Sequence, residues 1–177
     1  MIGGTGLLGS ECAKQLISAG HEVTALALPQ IPPGADLPPE MKIEFGSYLD
    51  LSDEQIKQYF EGCDGFVFAA GVDERIEGPP PIYDMFKKYN ITPLERLLRI
   101  AKESGVKHVA ICGSYFSYFA KIWPEKDLCR WHPYIRSRID KENMAMSFAD
   151  ENFDVAVLEL PYIFGTQKGR KRQCGCL

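Results

Sequence analysis

Gly3-Gly4-Thr5-Gly6-Leu7-Leu8-Gly9 places glycines at G-x-x-G-x-x-G spacing directly before an apolar helical pattern. Such a loop suits one kind of chemistry. Without side chains its backbone N–H groups approach an anion closely, and the positive end of the following helix favours negative charge there. The natural guest is a pyrophosphate. Gly3 is expected to permit the turn, Gly6 the close approach, and Gly9 the packing of helix on strand. The choice of dinucleotide is usually written at the end of the second strand, where a carboxylate binds the adenosine ribose or an Arg accepts a 2'-phosphate. Leu26-Ala27-Leu28-Pro29-Gln30 offers neither. Gln30 or a neighbour in the Pro-rich loop is the available substitute, and the sequence leaves NAD and NADP as equal readings.

The elements that must hold this loop alternate along the chain. Leu8, Cys12, Leu16 and Ala19 recur at near-helical spacing, so residues 10–19 read as helix, with Gly20 at a left-handed C-cap. Residues 22–28 follow as a mostly buried strand. Residues 29–39 hold five of the 12 prolines and read as loop before a strand at 42–45. Ser52-Asp53-Glu54-Gln55 fits a capping box that opens a helix running to about Glu61, with Gly62 after it. Phe-Val-Phe-Ala-Ala at 66–70 is apolar on both faces, as central parallel strands are. Residues 82–104 read as helix with a kink or restart at Pro93, and 108–112 as the next buried strand. A long aromatic segment spans 113–133, then a helix at 134–152 and a strand at 154–160 complete the pattern.

Alternation of the two hydrophobic periods predicts an α/β fold: a Rossmann-like, doubly wound, mostly parallel sheet. Only Met1 and Ile2 precede Gly3, so most of the first strand is expected to be missing, and nothing after Gly165 has the periodicity of a substrate lobe. An isolated chain lacking its central strand is expected to self-associate as a homo-oligomer. Residues 1–166 read as one NAD(P)-binding domain and 167–177 as a basic, disordered tail.

Composition narrows the function classes. The 177 residues are 45% hydrophobic and 25% charged, which suits a globular domain, and no window is apolar enough to span a membrane. The net charge of -4 hides an asymmetry: residues 1–167 carry 16 basic against 24 acidic residues. That acidic body argues against nucleic acid as a partner. Cys12, Cys63, Cys112, Cys129, Cys174 and Cys176 include no C-x-x-C pair and read as reduced thiols in a cytoplasmic protein, while His21, His108 and His132 show no metal-ligand spacing. Cys174 is fourth from the end with a polybasic stretch upstream, as in prenylated C-termini, but Gly175 and Cys176 are not aliphatic, so a membrane anchor is not the expected reading.

These residues together resemble the extended short-chain dehydrogenase/reductases, also called the NAD-dependent epimerase/dehydratase family. Gly3, Gly6 and Gly9 match its glycine motif, with Leu7 and Leu8 in the first helical turn. Ala69-Ala70-Gly71 looks like the strand-end motif that lines the cofactor's ribose and pyrophosphate. Asn90 looks like the family's helix asparagine, although Pro93-Leu94 stands where Gly-Thr is usual. Ser114 looks like the serine after the fifth strand, with Ser117 as another register. Tyr134-Ile-Arg-Ser-Arg138 resembles Tyr-x-x-x-Lys, and Pro161-Tyr162-Ile163-Phe164-Gly165 the later segment that approaches the nicotinamide.

The resemblance implies a nicotinamide dinucleotide as cofactor and a small organic substrate reacting at a carbonyl or hydroxyl group. It implies that Ser114, Tyr134 and Arg138 are catalytic, and that Tyr134 and Arg138 also contact the cofactor. One departure stands out. Arg138 occupies the lysine position, which keeps the positive charge but loses the compact shape and the capacity to pass a proton. The other reading is therefore a non-catalytic dinucleotide-binding or redox-sensing module. Tyr115, Phe116, Tyr118, Phe119, Trp123 and Trp131 read as packing beneath the long segment rather than as a substrate pocket.

Overall fold

The computed structural model describes residues 1–29, 31 and 33–166. Gln30 and the basic tail, with its prenylation-like end, lie outside the described residues. Two compact units are present, Met1–Leu51 with the segment beginning at Tyr162, and Ser52–Pro161. No helix among the described residues is long and apolar enough to cross a membrane.

In the first unit, β1 (Thr24–Ala27) pairs in parallel with β2 (Lys42–Phe45), from Thr24 opposite Lys42 to Ala27 opposite Phe45. Ile2 bridges Leu26 in parallel, and the Leu26 N–H donates to the Met1 carbonyl at 2.9 Å. Ile2 thus makes an isolated parallel bridge to β1 just before the glycines. Helix α1 (Leu7–Ser18) begins three residues earlier than the expected 10–19, because the glycine loop passes directly into it with Gly6 as its N-cap. Gly20 adopts a φ of 91°, the left-handed conformation expected of it. Ala13, Val23, Ala25 and Met41 form the buried core, covered by Leu16 and Ile17 on the apolar face of α1.

The second unit is built on three parallel strands in the order β3 (Gly65–Phe68), β4 (His108–Cys112), β5 (Asp154–Leu158). Helix α2 (Asp53–Phe60) opens with the expected capping box: the Ser52 Oγ accepts from the Gln55 N–H, and the Gln55 Oε1 accepts from the Ser52 N–H at 2.9 Å. Ser52→Ala removes the first of these and is expected to lower stability by about 1 kcal/mol in a denaturant melt, whereas Ser52→Asn should lose little. An unchanged midpoint for Ser52→Ala would show that the cap contributes nothing.

Residues 82–104 do restart, as expected, but through a widened turn. Short α3 (Tyr83–Phe86) runs into a π-helical turn at Lys87–Ile91, and α4 (Thr92–Glu103) follows with Pro93 in its first turn. Pro93 has no N–H to bond backwards, which a widened turn accommodates. Leu94, Leu97, Leu98 and Ala101 then recur at i, i+3, i+4, i+7, and each is at most 1% exposed. At helical spacing this stripe is what buries α4. Asp53 of α2 pairs with both Arg96 and Arg99 on the opposite face of α4.

The segment 113–133 is not a loop. It folds as α5 (Tyr115–Ile122), a 3-10 turn (Pro124–Lys126) and α6 (Leu128–Trp131), before α7 (Pro133–Met146). Its prolines stand at helix starts, where a missing N–H costs nothing, so they divide the segment without unwinding it. The aromatics pack largely on one another within and beside α5: Phe119 stacks on Trp123 at 4.8 Å, and Tyr115 meets Phe119 edge-on at 4.9 Å. Helix α7 ends at Met146 rather than 152, and the Lys102 Nζ donates to the Phe148 carbonyl at 2.7 Å just beyond it.

Candidate functional site

The glycine loop is shaped by what a Cβ would strike. Gly3 has a φ of 85°, and the Gly6 N–H donates to the Gly3 carbonyl at 2.9 Å, closing the turn. A Cβ on Gly9 would overlap the Gly3 carbonyl oxygen and stand 2.7 Å from the Gly3 carbonyl carbon and 2.8 Å from the Gly4 Cα. Gly9 therefore clears the loop's own backbone. Close packing on β1 falls instead at Gly4, whose Cβ would lie 2.7 Å from the Ala25 Cβ, a position to which the spacing assigned no role. Among the described residues no side chain caps α1, and its first turn holds no acid, so the helix start at Leu7, Leu8 and Gly9 favours an approaching anion. That is the fit a dinucleotide pyrophosphate requires.

A second cluster lies in the other unit, around the chain leaving β3. The half-buried Ala69 and Ala70 lead to Gly71, whose φ is 139° and whose Cβ would come within 2.5 Å of the Asn90 Oδ1. Asn90 is fully buried in the π turn. Its Oδ1 accepts from the Val72 N–H at 2.8 Å and its Nδ2 donates to the Val72 carbonyl at 2.9 Å, so one side chain satisfies both backbone groups as a neighbouring strand would.

Arg138 meets the same carbonyl. Its Nη2 donates to the Val72 oxygen at 2.8 Å, and its guanidinium carbon lies 4.5 Å from the Tyr134 ring centroid, one turn back on α7. Among the described residues the buried Arg138 Nε has no hydrogen-bond partner. Tyr134 is 5% exposed, edge-on to Phe86 at 5.4 Å and to Phe116 at 5.9 Å. Buried Ser114 caps α5, its Oγ accepting from the Phe116 N–H at 3.4 Å, while the Ser117 N–H donates to the Ser114 carbonyl at 2.9 Å. Ser114 thus caps the helix whose Phe116 lies against the Tyr134 ring. Pro161, Tyr162 and Ile163 lie on an exposed, irregular segment after β5. Trp131 is 71% exposed and so is not packed under the segment as expected; its ring carries the Arg130 guanidinium at 4.9 Å instead.

Sequence reasoning passed over Lys141. It is 1% exposed, and its Nζ donates to the Cys112 carbonyl at 2.9 Å. Burial, and secondarily the nearby Arg138 charge, push its pKa down to about 7 from an ordinary value of 10.5. The available signal was its place at i+7 from Tyr134 and i+3 from Arg138, on the helix face that carries the site. Between about pH 7 and 10.5 the unfolded chain holds a proton that the folded chain has released. This residue therefore makes stability rise with pH through that window and contributes a constant penalty below it. Lys141→Met is expected to raise stability at pH 7 by on the order of 4 kcal/mol, with the gain shrinking toward pH 10. Thermal melts of both chains across that range check this, and a pH-independent difference would contradict it.

A family profile described as NAD(P)H-binding matches residues 3–172. No curated protein matches the chain. Similar solved structures include a double mutant of a dTDP-glucose 4,6-dehydratase from Streptomyces venezuelae with NAD bound, 19% identical with a TM-score of 0.64 over 88% of this chain and 53% of that one. A short-chain dehydrogenase/reductase superfamily protein from Agrobacterium tumefaciens with bound NAD is 17% identical, with a TM-score of 0.63 over 88% of this chain and 46% of that one. The NAD-dependent NDP-hexosamine 5,6-dehydratase TunA is 20% identical, with a TM-score of 0.57 over 88% and 52%. The chain thus spans about half the length of these structures. The fold is the α/β Rossmann type of the short-chain dehydrogenase/reductases, as the sequence implied.

Proposed function

The chain belongs to the NAD(P)H-binding family, and from that premise we propose that it is the cofactor domain of a nicotinamide-dependent oxidoreductase or epimerase/dehydratase acting on a carbonyl or hydroxyl group of a small organic substrate. The observation that carries this reading is the Arg138 guanidinium 4.5 Å over the Tyr134 ring, with Phe116 of the Ser114-capped helix against the same ring. A bound nicotinamide supplies or accepts the hydride. Tyr134 gives or takes the proton on the substrate oxygen, and Ser114 hydrogen-bonds that oxygen. Arg138 places positive charge over the ring that becomes negative when the phenol releases its proton. We assign the pyrophosphate to the N–H groups of Leu7, Leu8 and Gly9, with Gly3 shaping the turn and Gly6, lacking a side chain, allowing the close approach. Ala69, Ala70 and Gly71 line the ribose side, Asn90 braces them, and Pro161, Tyr162 and Ile163 complete the nicotinamide end.

Residues 1–166 act as one dinucleotide-binding domain in this reading. Among the described residues Cys12, Cys63, Cys112 and Cys129 form no disulfide, which fits a reducing, cytoplasmic setting. Two of the similar structures are dehydratases named for sugar-nucleotide substrates, which makes nucleoside-diphosphate hexoses the first substrates to try. Screening the full chain with NAD and NADP against dTDP-glucose, UDP-glucose and small ketones tests the proposal: turnover of any of them, lost in Tyr134→Phe, supports it. A second reading, a non-catalytic dinucleotide-binding module, draws support from Arg138, whose Nη2 is spent on the Val72 carbonyl. Nicotinamide binding without turnover across that screen would favour it.

A further inference from the structure

The hydride-transfer reading leaves one buried charged group on α7 without a task. Lys141 is 1% exposed, its Nζ bonded to the Cys112 carbonyl at 2.9 Å and 5.2 Å from the Phe68 ring centroid. The titratable groups acting on it are Arg138 on its own helix and the Cys112 thiol on β4. A buried amine carries a desolvation penalty that a methionine or leucine of similar size would avoid. What the amine does in return is hold a carbonyl.

That carbonyl has a particular place. Cys112 ends β4, and the Gly113 N–H donates to the Leu158 oxygen at 2.8 Å, so the chain leaves the strand tightly held. Ser114 comes next. Its Oγ and carbonyl oxygen accept the N–H groups of Phe116 and Ser117, which starts α5. On α7, Tyr134, Arg138 and Lys141 stand at i, i+4 and i+7, one face of the helix. Arg138 reaches the Val72 carbonyl beyond β3, and Lys141 reaches the Cys112 carbonyl at the end of β4. Two basic side chains therefore moor the face that carries Tyr134 to the ends of two adjacent strands.

We propose that Lys141 is a positioning residue: it moors the end of β4 to α7 and so fixes where Ser114 stands against the Tyr134 phenol. This rests on the hydride-transfer reading of Ser114 and Tyr134. A purely structural lysine would change global stability alone. A mooring lysine does something separable, because its removal relieves the desolvation penalty while freeing the Ser114 turn.

Amide hydrogen exchange on the full chain, parent against Lys141→Met, reads this directly. In the variant the Phe116 and Ser117 amides, both bonded to Ser114, are expected to exchange at least about tenfold faster, while Ile100 and Ala101 of α4 exchange no faster than in the parent. Unchanged exchange at Phe116 and Ser117, or acceleration shared equally by α4, overturns the proposal. Should Lys141→Met fail to fold, Lys141→Leu is read in the same way, with the same outcomes deciding. NADH fluorescence on the same parent sample separates this from the functional reading. Absence of NADH binding sinks the proposed function, whereas NADH binding with an unresponsive Ser114 turn sinks the role given to Lys141.

Discussion

A Gly9→Ala chain is expected to bind NADH about a hundredfold more weakly than the parent, a loss of about 2.7 kcal/mol. Helix propensity alone argues the opposite way, since alanine inside a helix is favoured over glycine by about 1 kcal/mol. Sterics decide the sign. The added Cβ overlaps the Gly3 carbonyl oxygen and comes within 2.8 Å of the Gly4 Cα, and both are backbone, which cannot swing aside as a long side chain can. Relief requires the glycine turn to move away from α1, and the N–H groups at the helix start then no longer converge on one anion. The binding loss should therefore come with a lower melting temperature. Fluorescence titration of NADH into both chains, with a thermal melt of each, checks the pair of effects. An alanine variant that binds normally and melts higher would show that propensity wins and that the loop is not shaped by Gly9.

The second large effect concerns Tyr134. In Tyr134→Phe the ring that contacts Phe86, Phe116 and the Arg138 guanidinium is kept, and only the proton-carrying oxygen is lost. Turnover of the substrate identified by the screen is expected to fall about a thousandfold, with NADH affinity little changed, because acid–base assistance is lost only in the transition state. Ser114→Ala should lose less. Arg138→Lys should lower both affinity and rate, because a lysine amine cannot lie flat over the Tyr134 ring and reach the Val72 carbonyl in the same way. The steady-state constants of the three variants distinguish these roles. Equal losses in all three would mean that the cluster is a structural unit, and a faster Arg138→Lys would mean that arginine is a poor substitute for the lysine of similar enzymes.

Much of this is legible in residue type and spacing. The strands at 42–45 and 108–112 and the capping box at Ser52 follow from residue type and spacing over fewer than six positions, where local physics dominates. The helices within 113–133 are not legible in the sequence, because they are short and followed by prolines, so no run of apolar residues is long enough to show a 3.6-residue period. Asn90 and Arg138 were identified only by resemblance. Their convergence on Val72 is a contact between residues far apart in the chain, which no local pattern encodes. Lys141 was harder still, since a lysine on a helix ordinarily marks the solvent face, and only the fold shows that this one is buried.

The most direct test is a map of amide chemical shifts in the full, 15N-labelled chain titrated with NADH and with NADPH. With at least one of them, saturable shifts are expected at Gly6, Leu7, Leu8 and Gly9, and in the same titration at Val72, Ser114 and Tyr134. Shifts confined to the glycine loop, or none with either dinucleotide, would contradict the claim that Ser114, Tyr134 and Arg138 form the reacting end of a nicotinamide site.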